Sequence, residues 1–278
     1  MEKIGYQGIE GSYSEEALML YFNDKAYEKH NYSRFEDVFI AIDQGEIQCG
    51  VLPIENSSTG AIAEVYDLLN KYDCKIVGEQ YVKVSHSLLG TQEATIDTIE
   101  EVYSHPQGFE QSKEFLNEYR HWRCIPYYNT ARSARLVKKE NSKAKAAIGS
   151  MRSAQLYGLK VLREGINCHG RNTTRFIVVQ KEQDYKENQN KISVILSTKH
   201  RAGALFSVLR HLADEGINML KIESRPLVEE PWEYLFYIDF EGNLLDNKIR
   251  STMKRMEETS CYFKLLGNYK KGDRPWQK

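Results

Sequence analysis

The stretch KEQDYKENQNK, residues 181–191, constrains the chain more than any other segment: it is polar, charge-rich and set between two apolar strand-like runs, TRFIVV and ISVIL. Such a segment separates folding units, leaving about 180 residues before it and about 90 after it. Before it, apolar runs at residues 3–6, 49–54, 75–84, 101–103, 124–128, 145–148 and 175–179 alternate with helical patterns such as Ala61, Val65, Leu68 and Leu69. That rhythm predicts an α/β fold. After it, residues 192–196 read as a strand, and Leu205, Val208, Leu209 and Leu212 as a helical stripe that Gly216 ends. Residues 217–227 and 233–240 read as a hairpin turning at 228–231, Leu245, Ile249, Met253 and Met256 as a second stripe, and residues 261–266 as a last strand. The order βαββαβ is that of a ferredoxin-like sandwich.

Charge and cysteine usage narrow the function. The 38 Lys+Arg and 39 Asp+Glu leave a net charge of -1 with no long basic block, which favours a small-molecule partner over nucleic acid or an anionic membrane. No apolar run approaches the roughly 18 residues of a membrane span, and a cytoplasmic location is expected. Cys49, Cys74, Cys124, Cys168 and Cys261 are widely spaced, odd in number and without a CxxC pair, so they read as reduced thiols rather than a disulfide framework or a zinc site.

Five polar clusters sit at strand or helix ends. GYQGIEGSYSEEAL carries glycines at 5, 8 and 11, where the backbone around Gly11 can receive an anion, although Gln7 breaks the GxGxxG spacing. PIENSSTG gathers Glu55, Asn56, Ser57, Ser58 and Thr59 after a strand; SHPQ contains His105; NTARSAR opens a helix; GRNTTRF leads an apolar strand with Asn172, Thr173, Thr174 and Arg175. Helix capping and surface ion pairing account for many such residues on their own. No HExxH, GxSxG or phosphate-loop motif occurs, so neither a metal nor a cofactor is expected.

Taken in order with AAIGS, GAL (203–205) and IESRP (222–226), these clusters give the chain, over almost its whole length, a resemblance to the prephenate dehydratase family with its C-terminal ACT regulatory domain. The resemblance implies a catalytic region at 1–181 made of two lobes like the type II periplasmic-binding-protein fold, with the site in the cleft between them. It implies an ACT domain at 191–269 that binds phenylalanine through Gly203, Ala204 and Leu205 together with Glu223, Ser224, Arg225 and Pro226, across the interface of a homodimer or tetramer. It further implies a monofunctional carbon–oxygen lyase. Two positions depart from the family pattern: Asn129, where aspartate is usual, and Cys168, where aspartate is often found before NTTRF.

For prephenate, which loses its ring carboxylate as CO2 and its C4 hydroxyl as water, the step open to assistance is departure of the hydroxyl. The resemblance puts Thr174 at the centre of this step, as a hydrogen-bond donor, with Glu55 or His105 as the proton source. Arg175 is expected on the pyruvyl carboxylate, with Asn56, Ser57, Asn172, Thr173 and Gly11 as orienting groups. Alternatives are arogenate dehydratase and a non-catalytic amino-acid sensor. Truncation after Gln180 is expected to leave activity that phenylalanine no longer inhibits.

Overall fold

The computed structural model describes residues 1–23, 25–168, 170–227 and 232–274. A first lobe is built from β1 (Glu2–Gln7), α1 (Tyr13–Tyr21), β2 (Tyr27–Tyr32), α2 (Phe35–Asp43), β3 (Cys49–Asn56), the two-residue β4 (Gly60–Ala61), α3 (Ala63–Lys71) and β5 (Lys75–Lys83). The chain then crosses into a second lobe: β6 (Ser87–Gly90), β7 (Glu101–Ser104), α4 (Pro106–Gln111), α5 (Lys113–Asn117), β8 (Arg123–Pro126), α6 (Thr130–Glu140), β9 (Lys145–Gly149), α7 (Met151–Tyr157) and β10 (Lys160–Arg163). It returns as β11 (Thr173–Gln180). The first sheet has the order β2-β1-β3-β11-β5, with β4 on β3, and the second β10-β6-β9-β7-β8. Because β11 pairs antiparallel with both β3 and β5, the two crossings run side by side as a hinge. This is the two-lobed α/β fold expected from the sequence.

Behind the linker come β12 (Lys191–Ser197), α8 (Ala204–Asp214), β13 (Met219–Pro226), β14 (Tyr234–Glu241), α9 (Asn247–Thr259) and β15 (Tyr262–Tyr269). Their sheet has the order β13-β14-β12-β15, the ferredoxin-like arrangement. The turn expected at 228–231 lies outside the described residues. One face of this third sheet buries Ile192, Val194, Leu196, Ile238 and Phe240 against the stripes of α8 and α9. The other face does not end at a domain boundary: Ile195, Leu235, Tyr237, Leu266 and Tyr269 share one core with Leu52, Val65, Leu69, Ile76 and Ile177 of the first lobe.

Contact between the two units is close enough to demand a glycine. A Cβ on Gly267 of β15 would lie 2.1 Å from the carbonyl oxygen of Ile76 in β5. Gly267→Ala is therefore expected to destabilise the chain by at least the ~1–3 kcal/mol typical of overpacking, read as a lowered urea midpoint. An unchanged midpoint would refute the tight docking.

Candidate active site in the interlobe cleft

A cavity of ≈ 340 Å³ opens between the lobes. The first lobe lines it with Gln7, the start of α1, Pro53, Asn56 and Thr59, and the second with His105, Gln107, Gln111, Asn129 and Thr130; Thr174 and Phe176 of β11 form its floor near the hinge. Three helices point their N-termini at it. Ser12 caps α1, accepting from the Glu15 N–H; His105 Nδ1 caps α4, accepting from Gln107; Asn129 Oδ1 caps α6, accepting from the Arg132 N–H at 2.7 Å. An asparagine caps as well as an aspartate, so this departure from the family pattern keeps its structural role. Among the described residues that line the cleft none is Lys, Arg, Asp or Glu.

Asn56 organises the floor. Its Oδ1 accepts from the backbone N–H groups of Ser58 (2.9 Å) and Thr59 (3.2 Å) and from the Thr59 hydroxyl. That fixes its amide nitrogen, which donates to Asn172 Oδ1 at 2.8 Å and to Thr174 Oγ1 at 2.9 Å. Thr174 thus accepts from Asn56 and keeps its own proton for another partner. Asn172 is 2 % exposed, and its own amide nitrogen has no partner. It lines a side chamber of ≈ 160 Å³ that shares Thr59 and Gln111 with the cleft and has Cys168 on its wall.

Sequence reasoning did not single out Tyr13, His86 or Gln111. Tyr13 donates to the Ser85 carbonyl at 2.8 Å, and His86 meets Gln111 Oε1 at 2.8 Å. Since that oxygen only accepts, His86 carries its proton on Nε2, and the Gln111 amide N–H groups are left to serve a ligand. Burial lowers both His86 and His105 from the ordinary histidine range, with the Gln111 contact partly offsetting this at His86. Both rings are therefore neutral at pH 7 in the free chain.

Several expected site residues lie elsewhere. Glu55 and Arg175 do not line the cleft; they occupy the opposite face of the first sheet, towards the third sheet. Arg175 is 5 % exposed, with Nη1 2.7 Å from Asp239 Oδ2 and 3.3 Å from Glu79 Oε2, and Glu55 receives Lys221 Nζ at 2.7 Å. The physical reason is strand alternation, modified in β3 by a bulge: Arg175 pairs with Glu55 but Phe176 with Pro53, so Ile54 is extra and turns Glu55 away. Gly11 is committed to joining the lobes. Its N–H donates to Glu15, and its carbonyl accepts from the hydroxyls of Ser150 (3.2 Å) and Ser153 (2.9 Å) at the start of α7. Ser57 and Thr173 pin the end of β3 to the start of β11, the Thr173 N–H donating to Ser57 Oγ at 3.0 Å.

In the C-terminal unit, Gly203 caps α8 at φ +76°, and Ala204 and Leu205 line a ≈ 130 Å³ pocket with Arg201, Tyr234 and Phe236. Arg225 is turned to the first lobe, where it makes a bidentate pair with Asp67 (3.2 and 2.9 Å), and Glu223 meets Lys221 of its own strand, which in turn reaches Glu55 of the first lobe. Ser224 and Pro226 are exposed on β13, an edge strand. None of residues 223–226 lines the Ala204–Leu205 pocket of the same chain.

Burial by itself would raise the Asp239 carboxyl, but Lys191 and Arg175 more than reverse this and hold it well below the usual carboxylate range. With the folded value below the unfolded one, near 4, the group adds stability in full above about pH 4 and loses it as pH falls through the depressed value. The stability advantage of the native chain over Asp239→Asn is therefore expected to shrink between about pH 5 and pH 2 in urea titrations. A constant difference would show that the ion pairs are not the source.

A two-lobed α/β fold with a polar cleft at its hinge, its described lining residues free of Lys and Arg, and a ferredoxin-like unit behind it defines a bilobal cleft protein with an appended α/β domain. The family model for prephenate dehydratase matches residues 4–184. The bifunctional chorismate mutase/prephenate dehydratase of Escherichia coli (strain K12) is 36% identical over 272 residues, covering 96% of this chain and 70% of that one. Arogenate dehydratase/prephenate dehydratase 2, chloroplastic, of Arabidopsis thaliana is 34% identical, covering 96% and 72%. The prephenate dehydratase of Arthrobacter aurescens, solved in complex with L-Phe, shares the fold with a TM-score of 0.88 at 24% identity, covering 96% of this chain and 89% of that one. The chain belongs to the prephenate dehydratase family. Among the described residues no helix is long and apolar enough to cross a membrane, and no group of three or more His, Cys, Asp or Glu gathers as a metal site.

Proposed function

We propose that the chain converts prephenate to phenylpyruvate, acting as a carbon–oxygen lyase, and that residues 1–181 catalyse while residues 191–269 regulate. The observation that carries the catalytic reading is the Asn56–Thr174 pair, which leaves the Thr174 hydroxyl as a donor facing the cavity. Threonine is far too weak an acid to give up its proton at neutral pH; it stabilises charge that develops on the departing C4 oxygen. Of the two proton sources considered, His105 lines the cleft, and a bound dianion raises its pKa against the burial that lowers it. The carboxylates of the substrate meet neutral donors: the Gln111 and Asn172 amides and the N-termini of α1 and α6. A carboxylate that must leave as CO2 is better served by such donors than by a tight guanidinium pair, which would hold charge in the ground state.

Phenylalanine is proposed as feedback inhibitor, held between the Ala204–Leu205 pocket of one chain and the β13 edge of a second, in a homodimer or tetramer. The separation of these two segments within one chain, the family motifs and the exposed Ile222 and Ser224 support this reading. The test is an assay of purified chain with prephenate, chelator present, following phenylpyruvate, beside a parallel assay with arogenate. No product above the spontaneous background from either substrate would overturn the enzymatic reading, and faster turnover of arogenate would reassign the substrate.

A further inference from the structure

Thr174 and Arg175 are neighbours on one strand and face opposite ways: Thr174 forms part of the cleft floor, and Arg175 points into the seam between the first lobe and the third sheet. The seam holds four charges almost without solvent. Arg175, Lys191, Glu79 and Asp239 are 5, 3, 3 and 8 % exposed. Lys191 Nζ lies 2.8 Å from Glu79 Oε2 and 3.2 Å from Asp239 Oδ2, and Arg175 Nη1 reaches the same two oxygens. Two buried cations face two buried anions, and at the edge of the cluster Arg175 Nε lies 3.3 Å from Glu55 Oε2, itself paired with Lys221, so each buried member needs the others. Ser193 Oγ donates to Asp239 Oδ1 at 2.6 Å and meets the Tyr269 hydroxyl at 2.8 Å, which fixes the carboxylate from behind.

Two of the charges sit on β12 and β14, and the other two on β5 and β11, the hinge strands. A buried ion cluster is poor evidence of added stability, but it fixes geometry, because any shift of one member leaves a charge uncompensated. The bulge against β3 falls directly beside Arg175, a place where a strand's side chains are re-aimed. Thr174 is opposite Asn56 in this pairing, so a small movement of β11 changes the hydrogen bond that orients the Thr174 hydroxyl.

We infer that Arg175 is a positioning residue: through its buried ion cluster with Glu79, Lys191 and Asp239, the third sheet sets the aim of Thr174 in the cleft. This rests on the proposed dehydratase activity, and the wild-type assay is read first, so failure of that reading shows as no turnover before any variant is compared. The assignment explains why a guanidinium adjoins the reactive threonine without touching the cavity.

The experiment uses the full chain in wild-type, Arg175→Lys, Asp239→Asn, Ser193→Ala and Thr174→Ala forms, and the last combined with each of the others. Misplacement by about 1 Å typically costs about 100-fold in rate, and smaller tilts less. Arg175→Lys and Asp239→Asn are expected to lower kcat about 10-fold with KM within about 2-fold, and Ser193→Ala, which deletes one hydroxyl and keeps every charge, about 2- to 3-fold. In the Thr174→Ala background the same changes should lower the residual rate by less than about 2-fold, since what they aim is gone. Equal losses in both backgrounds would mean a general structural effect and overturn the inference. Unchanged kcat in all three single variants would overturn it too. Ser193→Ala keeps the test open where a charge substitution fails to fold.

Discussion

Alanine in place of Thr174 is expected to lower kcat by about 100-fold or more, the range of a lost positioned donor, while the circular dichroism spectrum and unfolding midpoint change little. The asymmetry follows from the hydrogen-bond chain. Backbone N–H groups of Ser58 and Thr59 occupy Asn56 Oδ1, so its amide nitrogen faces Thr174, and the threonine proton is free. Serine at 174 should retain much of the rate, and valine, equal in shape but without the hydroxyl, should behave as alanine does. Asn56→Asp tests the direction of the chain. An aspartate keeps the two backbone bonds but turns a second acceptor on Thr174, which then donates to the carboxylate instead of the substrate. Its kcat should approach that of Thr174→Ala; full turnover in Asn56→Asp would refute the assignment.

The second large effect concerns truncation after Gln180. The sequence reading expects an active, unregulated fragment; the structure argues for one that does not fold stably. Removing the C-terminal unit takes Ile195, Leu235, Tyr237, Leu266 and Tyr269 out of the core of the first lobe. At about 1.5–3 kcal/mol for each large apolar side chain buried, that loss is comparable to the whole stability of a domain, about 5–15 kcal/mol. It also leaves Arg175 and Glu79 without Asp239 and Lys191. Residues 1–180 should therefore be digested rapidly by protease at temperatures where the full chain resists, and calorimetry of the full chain should give one transition spanning both units. A stable fragment, or two separate transitions, would show the units to be independent.

Which elements form was largely legible, because most strands are apolar runs. Three that escaped are instructive. β2 reads YEKHNY, an edge strand with no apolar run; β6 and β10 are four residues each. The site was legible unevenly. Alternation alone allows only one of Thr174 and Arg175 to face the cleft, so the sequence held the signal that separates them. At β3 the same rule misleads: Val51 and Pro53 would carry Glu55 into the cleft, and only the extra residue in the bulge reverses it. Tyr13, His86 and Gln111 carried no signal, since they come from separate elements and meet only after the two crossings are made.

Because the unit proposed to regulate completes the core of the lobe proposed to catalyse, heritable escape from the proposed feedback control is not expected through nonsense or frameshift mutation shortly after residue 180. Such lesions are expected to remove activity along with its regulation. Overproducing strains should instead carry missense changes, confined to the exposed edge around Ile222 and Ser224 or to the Ala204–Leu205 pocket, where a side chain is replaceable without opening the seam.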